Sequence, residues 1–149
     1  EYIREGSIWN DIETNLNIIK TESPHVKLNF STVVSVFNVL TVVDHLSYME
    51  NKGLDISSIV LYNIVDPKHY ALCVLPDNLK QDAYQKITQY LETVTSDGLK
   101  KQLQGVLRYI NSSTYNAKAH SKFRSYTEHY DKIRNRDFNK TFPELNGVF

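Results

Sequence analysis

The apolar positions change period several times along the chain, and each change marks an element. Trp9, Ile12, Leu16 and Ile19 recur at three- and four-residue spacing, which predicts a helix with one apolar face. Ser7 is placed to cap that helix and Pro24 to end it. From Val26 to Val36 the pattern shifts to alternation, with Val26, Leu28 and Phe30 set against Lys27, Asn29 and Ser31, and a strand is expected. Asn38 then stands at a cap position before Leu40, Val43, Leu46 and Met49, an apolar stripe that stops at Lys52-Gly53. Ser58 to Val65 is a short apolar run suited to a strand buried on both faces, closed by Asp66-Pro67.

Helix, strand, helix, strand is the rhythm of parallel β/α units. After Pro76 the strand signals stop. Pro76 opens a helix that carries Leu79, Ala83, Ile87, Tyr90, Leu91 and Val94, and Ser96-Asp97-Gly98 interrupts it. Leu99, Leu103, Val106, Leu107 and Ile110 mark the next helix. Beyond the polar break from Asn111 to Asn116, Phe123, Tyr126, Tyr130 and Ile133 mark a last one. The expected class is α/β, with two parallel β/α units over residues 1–75 followed by a helical C-terminal region over 76–149. No flexible linker separates the halves, so they are expected to pack together.

Composition narrows the choice of partners. With 149 residues and 41% hydrophobic content the chain can bury a working core. Lys plus Arg and Asp plus Glu both total 17, so no global field favours nucleic acid, a membrane or an acidic ligand. No apolar run approaches the ~18 residues of a membrane span, and the first residues lack the basic and apolar regions of an export signal. Cys73 is the single cysteine, which excludes an intrachain disulfide and any Cys-rich metal cage built from this chain alone. A reducing, cytoplasmic setting is expected. Glu1-Tyr2-Ile3-Arg4 reads as the interior of a helix, so the chain is expected to be a piece of a longer protein.

The common catalytic strings are missing: there is no Gly-x-Ser-x-Gly elbow, no His-Glu-x-x-His helix and no phosphate loop. No catalytic residue and no metal ligand is therefore assigned. His25, His45, His69, His120 and His129 are scattered, and nine residues put His120 and His129 on opposite sides of one helix, so surface or capping roles are expected. Cys73, within Tyr70-Ala71-Leu72-Cys73-Val74, reads as a small buried hydrophobe, with the helix at Pro76 as its one activating neighbour. The last helix interleaves Lys118, Lys122, Arg124, Lys132, Arg134 and Arg136 with Phe123, Tyr126 and Tyr130, which suits phosphate contacts and base stacking. Those aromatics share one face, however, so a core stripe with solvated charges behind it is the plainer reading. The remaining polar cluster is Asn29, Ser31 and Ser35 on one face of the first strand, with Asn38 beyond its carboxyl end, where parallel β/α folds bind ligands.

Four segments occur in a familiar order: Glu1 to Ser7 with Trp9 behind; Ser31-Thr32-Val33-Val34-Ser35-Val36-Phe37-Asn38; Asp66-Pro67-x-x-Tyr70 with Leu75-Pro76; and Asp131-Lys132-Ile133-Arg134-Asn135 leading into Phe142-Pro143-Glu144-Leu145. Over nearly its whole length the chain resembles the C-terminal part of radical S-adenosylmethionine proteins that end in a short, twitch-like extension. The resemblance implies a partial β/α barrel whose last two strands are the Val26 and Ser58 runs. It implies a Cys-x3-Cys-x2-Cys loop before Glu1, holding the four-iron, four-sulfur cluster that cleaves S-adenosylmethionine, and no cluster in this chain. Ser31, Ser35 and Asn38 become the cofactor-binding candidates, with Ser31 in place of the asparagine in the family's common Asn-Thr-Val-Val string.

The expected function is thus the C-terminal fragment of a radical S-adenosylmethionine enzyme, inactive by itself. Its expected partner is the N-terminal half of the same protein or, through uncovered strand edges, a second copy. The alternatives are a stand-alone interaction or nucleic-acid-binding module using the basic helix, and an ordinary enzyme whose site at the strand ends is lined by Ser35, Asn38 and Asp66.

Overall fold

A computed structural model describes residues 2–148, apart from the side chain of Ser58. The elements run α1 (Trp9–Glu22), β1 (Ser31–Val34), α2 (Val42–Asn51), β2 (Val60–Asn63), α3 (Asp77–Thr93), α4 (Asp97–Ser112), α5 (Ala117–Arg134) and α6 (Phe138–Thr141). Single 3-10 turns lie at Ile56–Ser58, Lys68–Tyr70, Leu72–Val74 and Pro143–Leu145. The class is mixed α/β with helix predominating, and the strands among the described residues make one two-stranded parallel sheet.

Both strands are shorter than their apolar runs. Ser31 pairs with Val60 and Val34 with Asn63, and the ladder is extended only by bonds from Val60 N–H to Phe30 C=O (2.9 Å) and from Ile64 N–H to Val34 C=O (3.0 Å). A strand lasts only as far as its partner does. Residues 26–29 are left without a ladder because the 3-10 turn at Ile56–Ser58, held by Asp55 accepting from Ser57 N–H, occupies the matching stretch before β2.

The ladder bonds fix which backbone groups face outward. Phe30 and Val34 turn toward β2, so alternation turns Ser31 and Val33 away from it, and Leu61 likewise points away from β1. The outer side of β2 is covered: α4 packs along it, and Gln102 Oε1 accepts from Leu61 N–H at 3.3 Å. Just past the strand, the Tyr109 hydroxyl donates to Ile64 C=O. The outer side of β1 is open at Ser31 N–H, Ser31 C=O and Val33 N–H, which have no partner among the described residues.

Helix boundaries follow their caps. Ser96 accepts from Leu99 N–H (3.3 Å), Asn116 from Ala119 N–H (2.9 Å) and Asp137 from Lys140 N–H (3.0 Å). Asn135, at φ 49°, ends α5 in the left-handed region. Three expectations are corrected. The cap position of α1 belongs to Ile8 rather than Ser7 and has no side-chain bond. Asn38 does not cap α2, which starts after Thr41, because its amide is engaged by the end of β1. Residues 2–4 are irregular, with a bend at Ile3-Arg4 and a turn following at Glu5-Gly6, not helix, while Glu1 lies outside the described residues.

One core joins Val34, Leu46 and Leu61 to Ile87, Leu103 and Phe123. In α5 the buried row is Ala119, Phe123 and Thr127, an i, i+4 row, whereas Tyr126 and Ile133 are 40% and 60% exposed. The expected stripe through Tyr126 and Ile133 follows a coiled-coil seam, but the helix meets the core with a different row. The α1 helix buries no residue. It is held at its rim by Trp9 against Tyr48 (5.7 Å), by the Tyr48 hydroxyl on Glu13, and by Lys20 Nζ donating to Lys52 C=O at 2.6 Å.

Candidate functional site

The carboxyl ends of β1 and β2 open into a cavity of about 420 Å³, within the usual size of small-molecule sites. Its floor is Val33, Ser35 and Ile64. The Ser35–Thr41 turn is held beside it because Val36 N–H bonds Tyr70 C=O at 3.0 Å, tying the end of β1 to the 3-10 turn after β2. The α5 helix crosses above and supplies Thr127, Tyr130 and Arg134. The N-terminal segment closes one side with Tyr2, Ile3 and Arg4.

Aromatic packing fixes those walls. The Tyr2 ring sits 5.1 Å from Phe142, 6.2 Å from Phe138 and 6.4 Å from Phe37, and Phe37 stands 5.4 Å from Tyr70. The Tyr2 hydroxyl donates to Asp131 Oδ1 at 2.6 Å, and the other Asp131 oxygen accepts from Phe138 N–H at 2.8 Å. Burial, then the bonded Asp131, drives the Tyr2 phenol far above its ordinary pKa. Burial likewise raises Tyr70, with Tyr130 and Tyr126 adding to the shift and Arg134 opposing it. Tyr2 and Tyr70 are therefore neutral at neutral pH.

Arg134 is the best anchored charge. Its Nε pairs with Glu5 Oε2 at 3.2 Å, Nη1 donates to Tyr2 C=O at 3.2 Å, and the guanidinium lies 4.5 Å from the Tyr130 ring centre. Behind Tyr70, His69 is buried between the rings of Tyr70 (4.3 Å) and Tyr126 (4.9 Å). Burial lowers its pKa, the Lys122 charge lowers it further and Asp66 works the other way.

Of the residues singled out in the sequence, Ser35 and Asn38 line the cavity and Ser31 does not. Ser31 shares the face of Ser35 but lies four residues back, roughly 13 Å along the strand, and is exposed. Asn38 Oδ1 accepts from Ser35 N–H (2.8 Å) and Ser35 Oγ–H (3.3 Å), and Nδ2 donates to Val33 C=O (2.9 Å). Ser35 Oγ also accepts from Phe37 N–H at 3.3 Å. The two side chains are thus used up within the turn. Asp66 is exposed and outside the lining.

Sequence reasoning passed over Arg4, Tyr70 and Thr127 as site residues, and weighed Tyr130 and Arg134 only for a nucleic-acid surface on the last helix. Arg4, Tyr70 and Arg134 lay in the segments that carried the resemblance, but Thr127 has no local signal. Cys73 is half-buried against the core, its thiol donating to Lys68 C=O at 3.4 Å. His120 bridges the Tyr115 hydroxyl (2.5 Å) and Val148 C=O, a structural tie. Among the described residues no group of three or more His, Cys, Asp or Glu is placed to hold a metal, and no helix is long and apolar enough to cross a membrane. No family model, no curated protein and no solved structure matches the chain.

Proposed function

We propose that this chain is the C-terminal part of a radical S-adenosylmethionine enzyme, supplying the last two strands of a partial β/α barrel and the helices that cover them. The observation that carries the reading is the one-sided sheet. The outer side of β2 is covered by α4 with Gln102 on Leu61 N–H, as suits a final strand, while β1 keeps an open outer side at Ser31 and Val33. An added parallel strand has one place to pair, beside β1, and the cavity at the strand ends lies on the face such a barrel would enclose.

In this reading the four-iron cluster, held by a Cys-x3-Cys-x2-Cys loop preceding Glu1, supplies the reductive cleavage of S-adenosylmethionine. The residues of this chain wall and orient. Ser35 and Asn38 fix the turn that presents Phe37 to the cavity, and Arg134 and the tyrosines face the space above. The test is the coding sequence upstream of Glu1. A Cys-x3-Cys-x2-Cys segment followed by β/α units in frame supports the proposal, and an unrelated domain in that place refutes it.

A second reading, a nucleic-acid surface on α5, draws on the exposure of Tyr126 with Lys122 Nζ 5.3 Å from its ring centre. It is the weaker one, because Arg124 pairs with Glu128 at 2.8 Å and Arg134 with Glu5, which leaves less free positive charge on that helix for phosphates.

A further inference from the structure

We infer that the cavity at the strand ends takes a small planar acid, an aromatic or conjugated ring bearing one carboxylate, and that Arg4 selects its charge while Arg134, already paired with Glu5, adds only the donors of its Nη2. The inference rests on the reading of this cavity as the ligand site and names the ligand's class. The lining carries two formal charges and both are guanidinium groups. The nearby carboxylates are already engaged: both Asp131 oxygens are bonded to Tyr2 and Phe138, and Glu5 pairs with Arg134 Nε.

Arg134 Nη2 and the whole Arg4 guanidinium have no hydrogen-bond or ion-pair partner among the described residues. A planar fork of this kind matches the two oxygens of a carboxylate. Tyr2, Phe37, Tyr70 and Tyr130 give the rest of the wall flat rings, against which a flat ligand packs by offset or edge-on contact. The hydroxyls of Tyr70, Tyr130 and Thr127 also lack protein partners among the described residues, and they offer neutral hydrogen bonds to ring substituents. A cation would meet the uncompensated charge of Arg4, and an aliphatic chain would leave these donors unmatched.

The experiment is a ligand-observed NMR titration of the 149-residue chain with 2-naphthoate, 2-naphthamide and 2-naphthylmethylamine. The acid should bind about tenfold tighter than the isosteric amide, and the amine should show no saturable binding. Arg4→Gln, at an exposed position, should remove most of that preference by weakening acid binding far more than amide binding. Val33→Trp, which fills the floor of the cavity from a half-exposed site, should abolish both. Equal affinity for acid and amide, no binding of either, or acid binding that survives Val33→Trp would each overturn the inference. None of these results bears on whether cysteines precede Glu1, so the two proposals fail separately.

Discussion

Replacing Asn38 with alanine tests whether this side chain is a structural clamp or a spare ligand contact. The amide makes three hydrogen bonds, to Ser35 N–H, Ser35 Oγ–H and Val33 C=O, at 2.8, 3.3 and 2.9 Å. Each neutral bond contributes about 1 kcal/mol net. Ser35 is only 7% exposed, so water does not readily replace the lost acceptor on its N–H. Leaving a buried donor unmatched costs roughly 1–3 kcal/mol, and the expected loss for Asn38→Ala is about 2–4 kcal/mol in all. Asn38→Asp keeps an acceptor for Ser35 but sets a carboxylate oxygen against Val33 C=O, so it should recover only part of the loss. Urea unfolding of the three proteins, followed by far-UV circular dichroism, measures both differences. Unfolding free energies that agree within about 0.5 kcal/mol, together with weakened binding of 2-naphthoate, would show that Asn38 serves a ligand and not the turn.

Acid should destabilise the fold through the half-buried His45 and the buried His69. Burial lowers the pKa of both His45 and His69 in the folded chain, so below about pH 6.5 the unfolded chain takes up protons that the folded one refuses. Stability is then full above that pH and falls as the pH drops toward the lowered values. Unfolding midpoints at pH 7.5 and 5.5 should differ in that direction, and His69→Asn should shrink the difference; an equal drop in the variant would count against the assignment. By itself the chain should also self-associate through the open side of β1. Ser31→Pro removes an N–H that points away from β2 and blocks new pairing without breaking the existing ladder. Sedimentation should show a heavier species for the parent and a monomer for the variant, and a parent that stays monomeric at high concentration would refute it.

The helices were legible where local chemistry and burial agree. Leu99, Leu103, Val106 and Ile110 form the buried face of α4, and Ser96 caps it as a serine at that position should. Where the outcome depended on distant neighbours, the sequence was a poorer guide. The apolar run from Val26 promised a long strand, but pairing length is set by the partner, and the partner begins late. The periodicity of α1 marked one apolar face, yet that face buries no residue fully, and Trp9 and Ile12 remain 42% and 40% exposed. The site shows the same division. Ser35 and Asn38 could be placed near the strand ends from the β/α rhythm alone, but that their polar atoms would be consumed by one another depends on the backbone path through Val36 and Phe37. Arg4 and Arg134 are 130 residues apart in sequence, and no local pattern brings them to one cavity.

The one-sided sheet also limits the size of any assembly the chain builds by strand pairing. An open-ended fibre grows because every subunit offers two complementary surfaces, one for each neighbour. Here the covered side of β2 removes one of them. If two copies meet along β1 about a two-fold axis, they form a four-stranded sheet flanked at both outer margins by their own α4 helices. Growth then ends at two, and a β-rich surface that would otherwise invite runaway pairing becomes self-terminating.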